Sequence, residues 1–474
     1  MKVLFTASEA APFIKSGGLG DVAGALPKTL VALGHDVRVV LPYYSDIPEA
    51  YRHTMSYVGN FNVTLAWRSL YAGVFCQNID GVKYYFIDNE YYFKRKGLYG
   101  HYDDAERFAY FSRAVLDMLP VIDFYPDVIH CNDWHTALTP VYLDTIYREK
   151  CGYQNIKTVF TIHNIQFQGK YGKEIAADVV GLPEGKDELI TYGECLNFMK
   201  GAIECSNVVT TVSESYAKEI LDPFYAYGLE GILRERAFKL TGVVNGIDVT
   251  SFNPNTDRAL FKNYNTVSSK SGKAANKQGI CELVGLPYSD DKPLIAMITR
   301  LTSQKGIDIL MNVLDDVLER DLQLVVLGTG DWQFETALVE AEKRHPGNFR
   351  ALITFSGDLA NKLYAGSDMF LMPSKFEPCG LSQLIAMRYG SVPIVRETGG
   401  LRDTVAPFNP VTAEGTGYTF YSYNAHDMLG AIDRAVGDYH GNRVGFRKLV
   451  KNAMKEDFSW NKSAKRYVEI YKSI

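Results

Sequence analysis

The chain has 474 residues, with 50 Lys plus Arg against 55 Asp plus Glu, which gives a formal net charge of -5 at pH 7. This length and the 46% hydrophobic content exclude a single small domain and a disordered chain. The slightly acidic balance argues against a nucleic-acid partner or a membrane-surface partner.

The cysteine count and the N-terminus indicate the cellular compartment. Seven cysteines without a C-x-x-C pair argue against a disulfide framework or a zinc finger and favour a reducing compartment. The short apolar run after Lys2 is interrupted at Glu9, too early for a secretory signal. No uncharged apolar run approaches the roughly 18 residues of a membrane span. We therefore expect a cytoplasmic protein with no membrane partner.

Short strand-like runs alternate with helix-like stretches along the first half of the chain. The predicted strands are 2–8, 37–41, 127–130, 158–162, 208–212 and 240–244, and the predicted helices include 21–33 and 138–148. This alternation is typical of a parallel sheet covered by helices. Residues 1–244 are therefore predicted to form one Rossmann-like domain.

The same alternation returns after a run of turn-forming residues at 242–254. Gly285 is predicted to end a helix that follows a solvated loop at 262–277, and a further helix is predicted at 460–474. The other predicted elements are strands 294–298, 322–327, 351–355, 369–372 and 392–395, with helices such as 306–318 and 381–388. The fold class is thus α/β, with two Rossmann-like domains that we expect to face each other across a cleft.

Ligands of open parallel sheets bind beyond the carboxyl ends of the strands, so we searched those positions for chemically useful residues. The first strand leads into Lys15-Ser-Gly-Gly-Leu-Gly-Asp21. Glycines allow a ligand to approach the backbone, and the N–H groups of a first helical turn favour an anion such as diphosphate. The alternative is a flexible loop that caps a helix.

Polar residues also follow the predicted strands 127–130 and 158–162. His130 and its neighbours include a Cys and an Asp, but adjacent residues on a strand point to opposite faces, which argues against a metal site. We predict instead that Asp133 and His163 form a surface that binds hydroxyl groups, and that His130 is a core histidine. Ser213 is predicted to cap a helix.

In the second half, Arg300 and Lys305 follow a predicted strand and are interpreted as phosphate clamps, with solvated surface cations as the alternative. Gly328 and Gly330 begin a dinucleotide fingerprint whose third glycine is replaced by Gln333. This departure disfavours a nicotinamide-dependent dehydrogenase, although close approach of a nucleotide to the backbone stays possible.

The segment around Glu377 combines a carboxylate with Pro and Gly. Such a carboxylate can bind sugar hydroxyls and offset positive charge at an anomeric carbon, and the alternative is an acid at a helix start. Cys379 has no neighbouring histidine and is interpreted as a packed thiol rather than a nucleophile. Gly399 and Gly400 are predicted to form another anion-accepting turn.

Together these segments resemble the bacterial glycogen synthase and plant starch synthase family, glycosyltransferases with the two-domain GT-B fold. The resemblance runs nearly from end to end, and it implies a nucleotide-sugar domain at 245–456 and a last segment, 457–474, that crosses back to the first domain. The matching segments are 15–21, Asp133-Trp-His135, Thr161-Ile-His-Asn164, Asn245-Gly-Ile-Asp248, Arg300 with Lys305, Glu377-Pro-Cys-Gly-Leu381 and Thr398-Gly-Gly-Leu401.

The resemblance also implies roles for individual residues. The catalytic residues would be Glu377, Lys305, Arg300 and His163, and Phe355 would stack on the nucleobase. Ile385 stands where related retaining enzymes carry a second Glu. The implied substrate-binding residues are Lys15, Gly17, Gly18, Asp21, Tyr99, Asp133, Asn245, Gly330, Phe355, Cys379, Gly380, Leu381, Thr398, Gly399 and Gly400.

The implied reaction is a retaining transfer of glucose from ADP-glucose to the non-reducing 4-hydroxyl of an α-1,4-glucan, such as glycogen or a maltooligosaccharide. It requires no cofactor and no metal. The alternatives are UDP-glucose as donor, a different acceptor, or a catalytically silent glucan-binding scaffold.

Overall fold

Two large β-sheets and one small one organise the chain, which a computed structural model describes from residue 1 to residue 474. The first compact unit contains Met1–Gly246 and Trp460–Ile474, and the second contains Ile247–Ser459. None of the helices is long and apolar enough to cross a membrane. GT-B proteins also contain two α/β units, and this is the architecture that the sequence predicts.

Unit 1 is built on a nine-stranded sheet in the order β12-β11-β7-β6-β1-β2-β5-β4-β3. Neighbouring strands are parallel except where β4 pairs antiparallel with β3 and β5. A small antiparallel sheet, β8-β10-β9, lies apart from it in the same unit. The strands are β1 (Lys2–Thr6), β2 (Asp36–Pro42), β3 (Ser56–Leu65), β4 (Arg68–Ile79), β5 (Val82–Asp88), β6 (Val128–Asn132), β7 (Lys157–Ile162), β8 (Lys170–Tyr171), β9 (Thr191–Tyr192), β10 (Cys195–Asn197), β11 (Val208–Thr211) and β12 (Leu240–Gly242).

The prediction missed β3, β4 and β5, the three strands between β2 and the helix at Asp104–Asp117. β3 and the start of β4 are largely exposed, so they lack the continuous apolar run that marks a central parallel strand. β5 has such a run, and Asp80-Gly81, a typical hairpin turn with positive φ at both residues, joins it to β4, a signal that the prediction overlooked. The hairpin of β3 and β4 extends the sheet beyond β5, at the edge opposite β12.

The helices of unit 1 pack on its parallel strands. The predicted helix 138–148 is confirmed as a helical stretch, with five α-helical residues followed by a π-helical turn at Leu143–Tyr147. The helices are α1 (Gly18–Ala32), α2 (Glu49–Arg52), α3 (Glu90–Phe93), α4 (Asp104–Asp117), α5 (Leu138–Tyr142), α6 (Phe198–Cys205), α7 (Glu214–Glu219), α8 (Pro223–Ala226) and α9 (Glu230–Glu235). Ser213 caps α7 as predicted, since its Oγ accepts a hydrogen bond from Tyr216 N.

Unit 2 contains a six-stranded, entirely parallel sheet in the order β15-β14-β13-β16-β17-β18. Its strands are β13 (Leu294–Ile298), β14 (Gln323–Leu327), β15 (Phe349–Leu352), β16 (Met369–Met372), β17 (Val392–Arg396) and β18 (Tyr418–Phe420). Its helices are α10 (Ser269–Val284), α11 (Ile307–Asn312), α12 (Leu314–Leu318), α13 (Trp332–Arg344), α14 (Gly357–Gly366), α15 (Ser382–Arg388), α16 (Gly399–Thr404), α17 (Ala425–Gly441) and α18 (Arg443–Lys455).

Two predicted elements of unit 2 differ from the structure. The strand predicted at 351–355 is β15, which lies earlier, so Phe355 falls outside it. The helix predicted at 306–318 is divided into α11 and α12, because Val313 leaves the helical conformation with φ of -130°. The first difference arises because apolar Ile353 directly follows the last residue of β15, so the apolar run continues past the strand.

The segment 262–277 is not the solvated loop that its lysines suggested, because α10 begins at Ser269 and buries two of them. Lys273 Nζ donates to the carbonyls of Ala365 and Tyr389, and burial lowers its pKa to about 7. Lys277 Nζ forms an ion pair with Asp368 at 2.8 Å. Long apolar stems carry both ammonium groups into the protein, which a charge count cannot reveal.

The last helix, α19 (Trp460–Lys472), belongs to unit 1. Its buried side includes Trp460, Ala464 and Tyr471. Nδ1 of His130 lies 2.7 Å from the hydroxyl of Tyr471, and Nε2 of the same ring lies 2.6 Å from the hydroxyl of Thr161. His130 is therefore a fully hydrogen-bonded core histidine, as predicted.

Candidate active site

A buried glutamate organises the glycine loop that follows β1. Glu9 is 2% exposed, and its Oε2 accepts hydrogen bonds from Ser16 N and Oγ, at 2.7 and 2.6 Å. Its Oε1 accepts from Gly20 N at 3.0 Å. One main-chain N–H group of the first helical turn, that of Gly20, which was predicted to be open to an anion, is thus already used. In the sequence, Glu9 was interpreted only as an interruption of an apolar run.

The same loop holds Lys15 next to Asp21, with Lys15 Nζ 2.8 Å from Asp21 Oδ1. Gly20 is needed there, because a Cβ at this position would lie 2.4 Å from the Cβ of Lys15. Gly17 has extended backbone and precedes Gly18, the first residue of α1. Since both charged side chains are substantially exposed, their ion pair contributes at most about 1 kcal/mol. An anionic ligand could therefore replace Asp21 as the partner of Lys15 at a small cost in free energy.

The ends of β6 and β7 bring Asp133 and His163 together. Asp133 has a φ of +56°, and its Oδ1 accepts a hydrogen bond from His163 N at 2.8 Å. The ring of His163 contacts Oδ1 of Asn132 through Nε2 at 2.9 Å. Burial lowers the pKa of His163 to about 3, so the imidazole is neutral at physiological pH. Asn132, which the sequence did not single out, is the residue that connects the two strand ends.

The buried carboxyl of Asp133 is expected to make the stability of the protein depend on pH. Burial raises its pKa to about 7, although the hydrogen bonds from His163 N and Asn164 N act in the opposite direction. The folded state then keeps this proton between about pH 4 and pH 7, where the unfolded chain has lost it. Stability falls as pH rises through this window, by up to about 1.4 kcal/mol per pH unit. Asp133→Asn is expected to remove this fall, measured as unfolding free energy at pH 5 and pH 7.

Asp127→Asn provides a matched control, because Asp127 is exposed but also accepts a main-chain hydrogen bond, from Lys2 N. This control is expected to keep the pH dependence of the parent protein. An Asp133→Asn protein that loses as much stability as the parent between the two pH values would contradict the argument.

Two further residues of unit 1 carry polar groups suited to a ligand. Tyr99 is half-buried, its hydroxyl lies 2.7 Å from Ser8 Oγ, and its ring stacks on His135 with centroids 4.4 Å apart. Asn245 is 6% exposed, and its Oδ1 has no hydrogen-bond partner within the protein. A buried, unpaired amide oxygen is costly, so a ligand hydroxyl or amine that reached it would be favoured.

In unit 2, Glu377 and Lys305 form a buried ion pair. Lys305 Nζ lies 2.6 Å from Glu377 Oε2, and the same oxygen accepts a hydrogen bond from Ser374 Oγ at 3.1 Å. The side chain of Lys305 is only 17% exposed and that of Glu377 only 6%. The alternative reading of Glu377 as a helix-start acid is wrong, because α15 begins five residues later, at Ser382.

Glycines let the segments that carry this pair pack closely. Gly306 has a φ of +79°, and a Cβ there would lie 2.2 Å from Pro373 O. A Cβ on Gly399, whose φ is +45°, would lie 1.9 Å from Glu377 O. Gly400 N donates to Glu377 O at 3.0 Å. The anion-accepting turn predicted at Gly399 and Gly400 is corrected accordingly, since Gly400 N–H is already bonded.

The glycines after β14 have a similar role, and their contact with a nucleotide stays a prediction. A Cβ on Gly328 would lie 1.8 Å from Thr299 O, and one on Gly330 would lie 2.3 Å from Leu301 O. They therefore allow close packing of the loop that carries Arg300. Arg300 is exposed, and its guanidinium forms no hydrogen bond or ion pair within the protein. It is available to a ligand.

The remaining predicted site residues differ in exposure. Phe355 is 90% exposed, whereas Cys379 is buried, as expected of a packed thiol. Gly380 has a φ of +73°, and its carbonyl accepts a hydrogen bond from Gln383 Nε2, while Leu381 immediately precedes α15. Nowhere do three or more His, Cys, Asp or Glu residues cluster in a way that could hold a metal ion.

Family models match both units. Residues 2–235 match the model described as a starch synthase catalytic domain, and residues 285–455 match the one described as glycosyl transferases group 1. Sucrose-phosphate synthase from Thermosynechococcus elongatus is similar in fold, with a TM-score of 0.63 at 17% identity over 100% of this chain and 98% of that chain. The fold and these matches define a glycosyltransferase of the GT-B class.

Two proteins with higher sequence identity identify the family within this class. The chain is 51% identical to glycogen synthase from Clostridium acetobutylicum over 100% of both proteins. The catalytic domain of starch synthase IV from Arabidopsis thaliana, solved bound to ADP and acarbose, superposes with a TM-score of 0.92 at 34% identity, over 100% of this chain and 99% of that one. The chain belongs to the family of glycogen synthases and starch synthases, which confirms the resemblance seen in the sequence.

Proposed function

We propose that this enzyme transfers glucose from ADP-glucose to the non-reducing 4-hydroxyl of an α-1,4-glucan, with retention of the anomeric configuration. The observation that carries the proposal is the buried pair of Lys305 and Glu377, in a chain that is 51% identical to a glycogen synthase along its whole length. The ADP bound to the similar starch synthase supports ADP-glucose as the donor.

The cations act on the leaving diphosphate. Arg300 presents an unpaired fork of N–H donors, and Lys305 has three donors, of which two remain after its contact with Glu377. Lys15 supplies a further exposed charge. Because negative charge on the leaving group is greatest in the transition state, these contacts lower the activation barrier more than they tighten donor binding.

The neutral and anionic groups act on the sugar. Glu377 binds glucosyl hydroxyls and offsets positive charge at C1, while Asp133, Asn245 and neutral His163 offer polar atoms to the glucosyl unit. In this proposal Tyr99 and Asp21 also contact the substrate, and exposed Phe355 stacks on the base. The shape of the binding surface depends on packed Cys379 and on the backbone of eight further residues. These are Gly17, Gly18, Gly330, Gly380, Leu381, Thr398, Gly399 and Gly400.

Front-face substitution explains retention without a carboxylate nucleophile. The bond between C1 and the phosphate oxygen breaks, and its electron pair leaves with ADP. The acceptor O4 forms its bond to C1 from the same face, and its proton passes to an oxygen of the departing phosphate. Retaining glycosidases use a second carboxylate instead, and here Ile385 occupies the position of the related second Glu.

A donor screen tests the proposal. The purified protein is incubated with maltooligosaccharide or glycogen and either ADP-glucose or UDP-glucose, and nucleotide release and chain length are measured. We expect ADP release in equal amount to new α-1,4 linkages. Faster transfer from UDP-glucose would contradict the donor assignment, and glucan binding without any nucleotide release would identify a silent scaffold.

A further inference from the structure

The side-chain amide of Asn132 has a defined orientation. Asn132 ends β6 and is fully buried. Its Nδ2 donates to the carbonyl of Thr6 at 2.9 Å and to that of His130 at 3.2 Å. Carbonyl oxygens only accept hydrogen bonds, so the nitrogen of the amide must face them. Oδ1 therefore points to the ring of His163.

This orientation determines what His163 can do at each ring nitrogen. Oδ1 of Asn132 can only accept, and it lies 2.9 Å from Nε2 of His163. Nε2 must therefore carry the ring proton. The ring is neutral at physiological pH, so Nδ1 then carries a lone pair and no proton. Nδ1 has no hydrogen-bond partner within the protein, and the side chain is only half-buried.

We propose that Asn132 is a positioning residue that fixes His163 in the Nε2–H tautomer, so that Nδ1 accepts a hydrogen bond from a hydroxyl of the glucosyl unit. The hydroxyl part rests on the proposed function, and the tautomer part does not. His163 then works as a fixed acceptor rather than as a general acid. Asp133 contributes by holding His163 N at 2.8 Å, so the backbone and the ring of this histidine are both anchored.

The tautomer is measurable without any substitution. The protein is labelled with ¹⁵N-histidine, and two-bond ¹H–¹⁵N correlation spectra are recorded between pH 6 and pH 8. Comparison with His163→Gln assigns the ring signals. We expect a protonated Nε2 and an unprotonated Nδ1 across this range. A protonated Nδ1 in the parent protein would overturn the proposal.

Asn132→Leu tests whether Asn132 is the cause, and Asn132→Ser serves as a milder variant in case the leucine protein does not fold. We expect a mixture of tautomers, a rise of about tenfold in KM for ADP-glucose, and a Kd for ADP within twofold of the parent. The split between KM and Kd is expected because ADP lacks the glucosyl unit. Retention of the Nε2–H tautomer in these variants would refute the role of Asn132.

Asn276→Leu is the matched control. Asn276 is also fully buried, and its Nδ2 donates to two carbonyls, those of Lys262 and Gly272, but it contacts no histidine. We expect unchanged His163 signals and an unchanged ratio of KM to Kd. A changed tautomer with unaltered KM would overturn the hydroxyl contact alone. Absence of any glucosyl transfer by the parent would instead reject the proposed function and leave the tautomer result standing.

Discussion

Lys305→Ala is expected to lower kcat with ADP-glucose by about a hundredfold, which corresponds to about 3 kcal/mol of transition-state stabilisation. Two effects combine. The leaving diphosphate loses a cation, and the 6%-exposed Glu377 side chain is left with only the hydroxyl of Ser374 as a hydrogen-bond donor. Initial rates over a range of donor concentrations separate kcat from KM, and we expect KM for the glucan to change little.

Lys343→Ala provides the control for this experiment. Lys343 is also paired with a glutamate in unit 2, Glu340, at 2.6 Å, but both side chains are more than half exposed. An exposed ion pair of this kind contributes little, so the variant is expected to keep the kcat and stability of the parent. If Lys305→Ala retained the parent kcat, Lys305 could not act on the leaving group.

Gly306→Ala is expected to lower kcat by about a hundredfold although it removes no charge. The φ of +79° is unfavourable for alanine, and the new Cβ would lie 2.2 Å from Pro373 O. The backbone must therefore move, and Lys305 moves with it. A displacement of about 1 Å at a catalytic group can cost two orders of magnitude in rate. The strain is also expected to cost about 2 kcal/mol of stability, measured as a lower midpoint of denaturant unfolding.

Gly347→Ala is the appropriate comparison for this glycine. No atom lies within 4 Å of a Cβ at Gly347, and its φ is not positive. We expect parent-like kcat and unfolding midpoint. A Gly306→Ala protein with the activity of the parent would show that the position of Lys305 does not depend on close contact between its turn and Pro373.

The sequence predicted most of the parallel strands because many buried strands are apolar runs, as in β13, β14 and β16. It could not predict β3, which is mostly solvent-exposed, or the burial of Lys273 and Lys277. In both cases the outcome depends on which distant residues cover the segment. Carbonyls of Ala365 and Tyr389, for example, provide the environment that accepts Lys273.

For the site, residue type and position after a strand were enough to select Lys305, Glu377 and His163. Their partners were not accessible in this way. Glu9 and Asn132 act through hydrogen bonds to segments 7 to 31 residues away in the chain. The close packing at Gly328, Gly330, Gly399 and Gly400 was also missed, because a glycine that allows backbone to pack on backbone resembles in sequence a glycine that admits a ligand.

The placement of α19 has a consequence for biosynthesis. Unit 1 is formed by the first 246 residues together with a helix encoded at the other end of the chain. On the ribosome, the core around His130 cannot receive the Tyr471 hydroxyl until unit 2 has been translated completely. The unit whose translation begins first is therefore the one whose assembly finishes last, and unit 2, encoded without interruption, can complete its own fold before it.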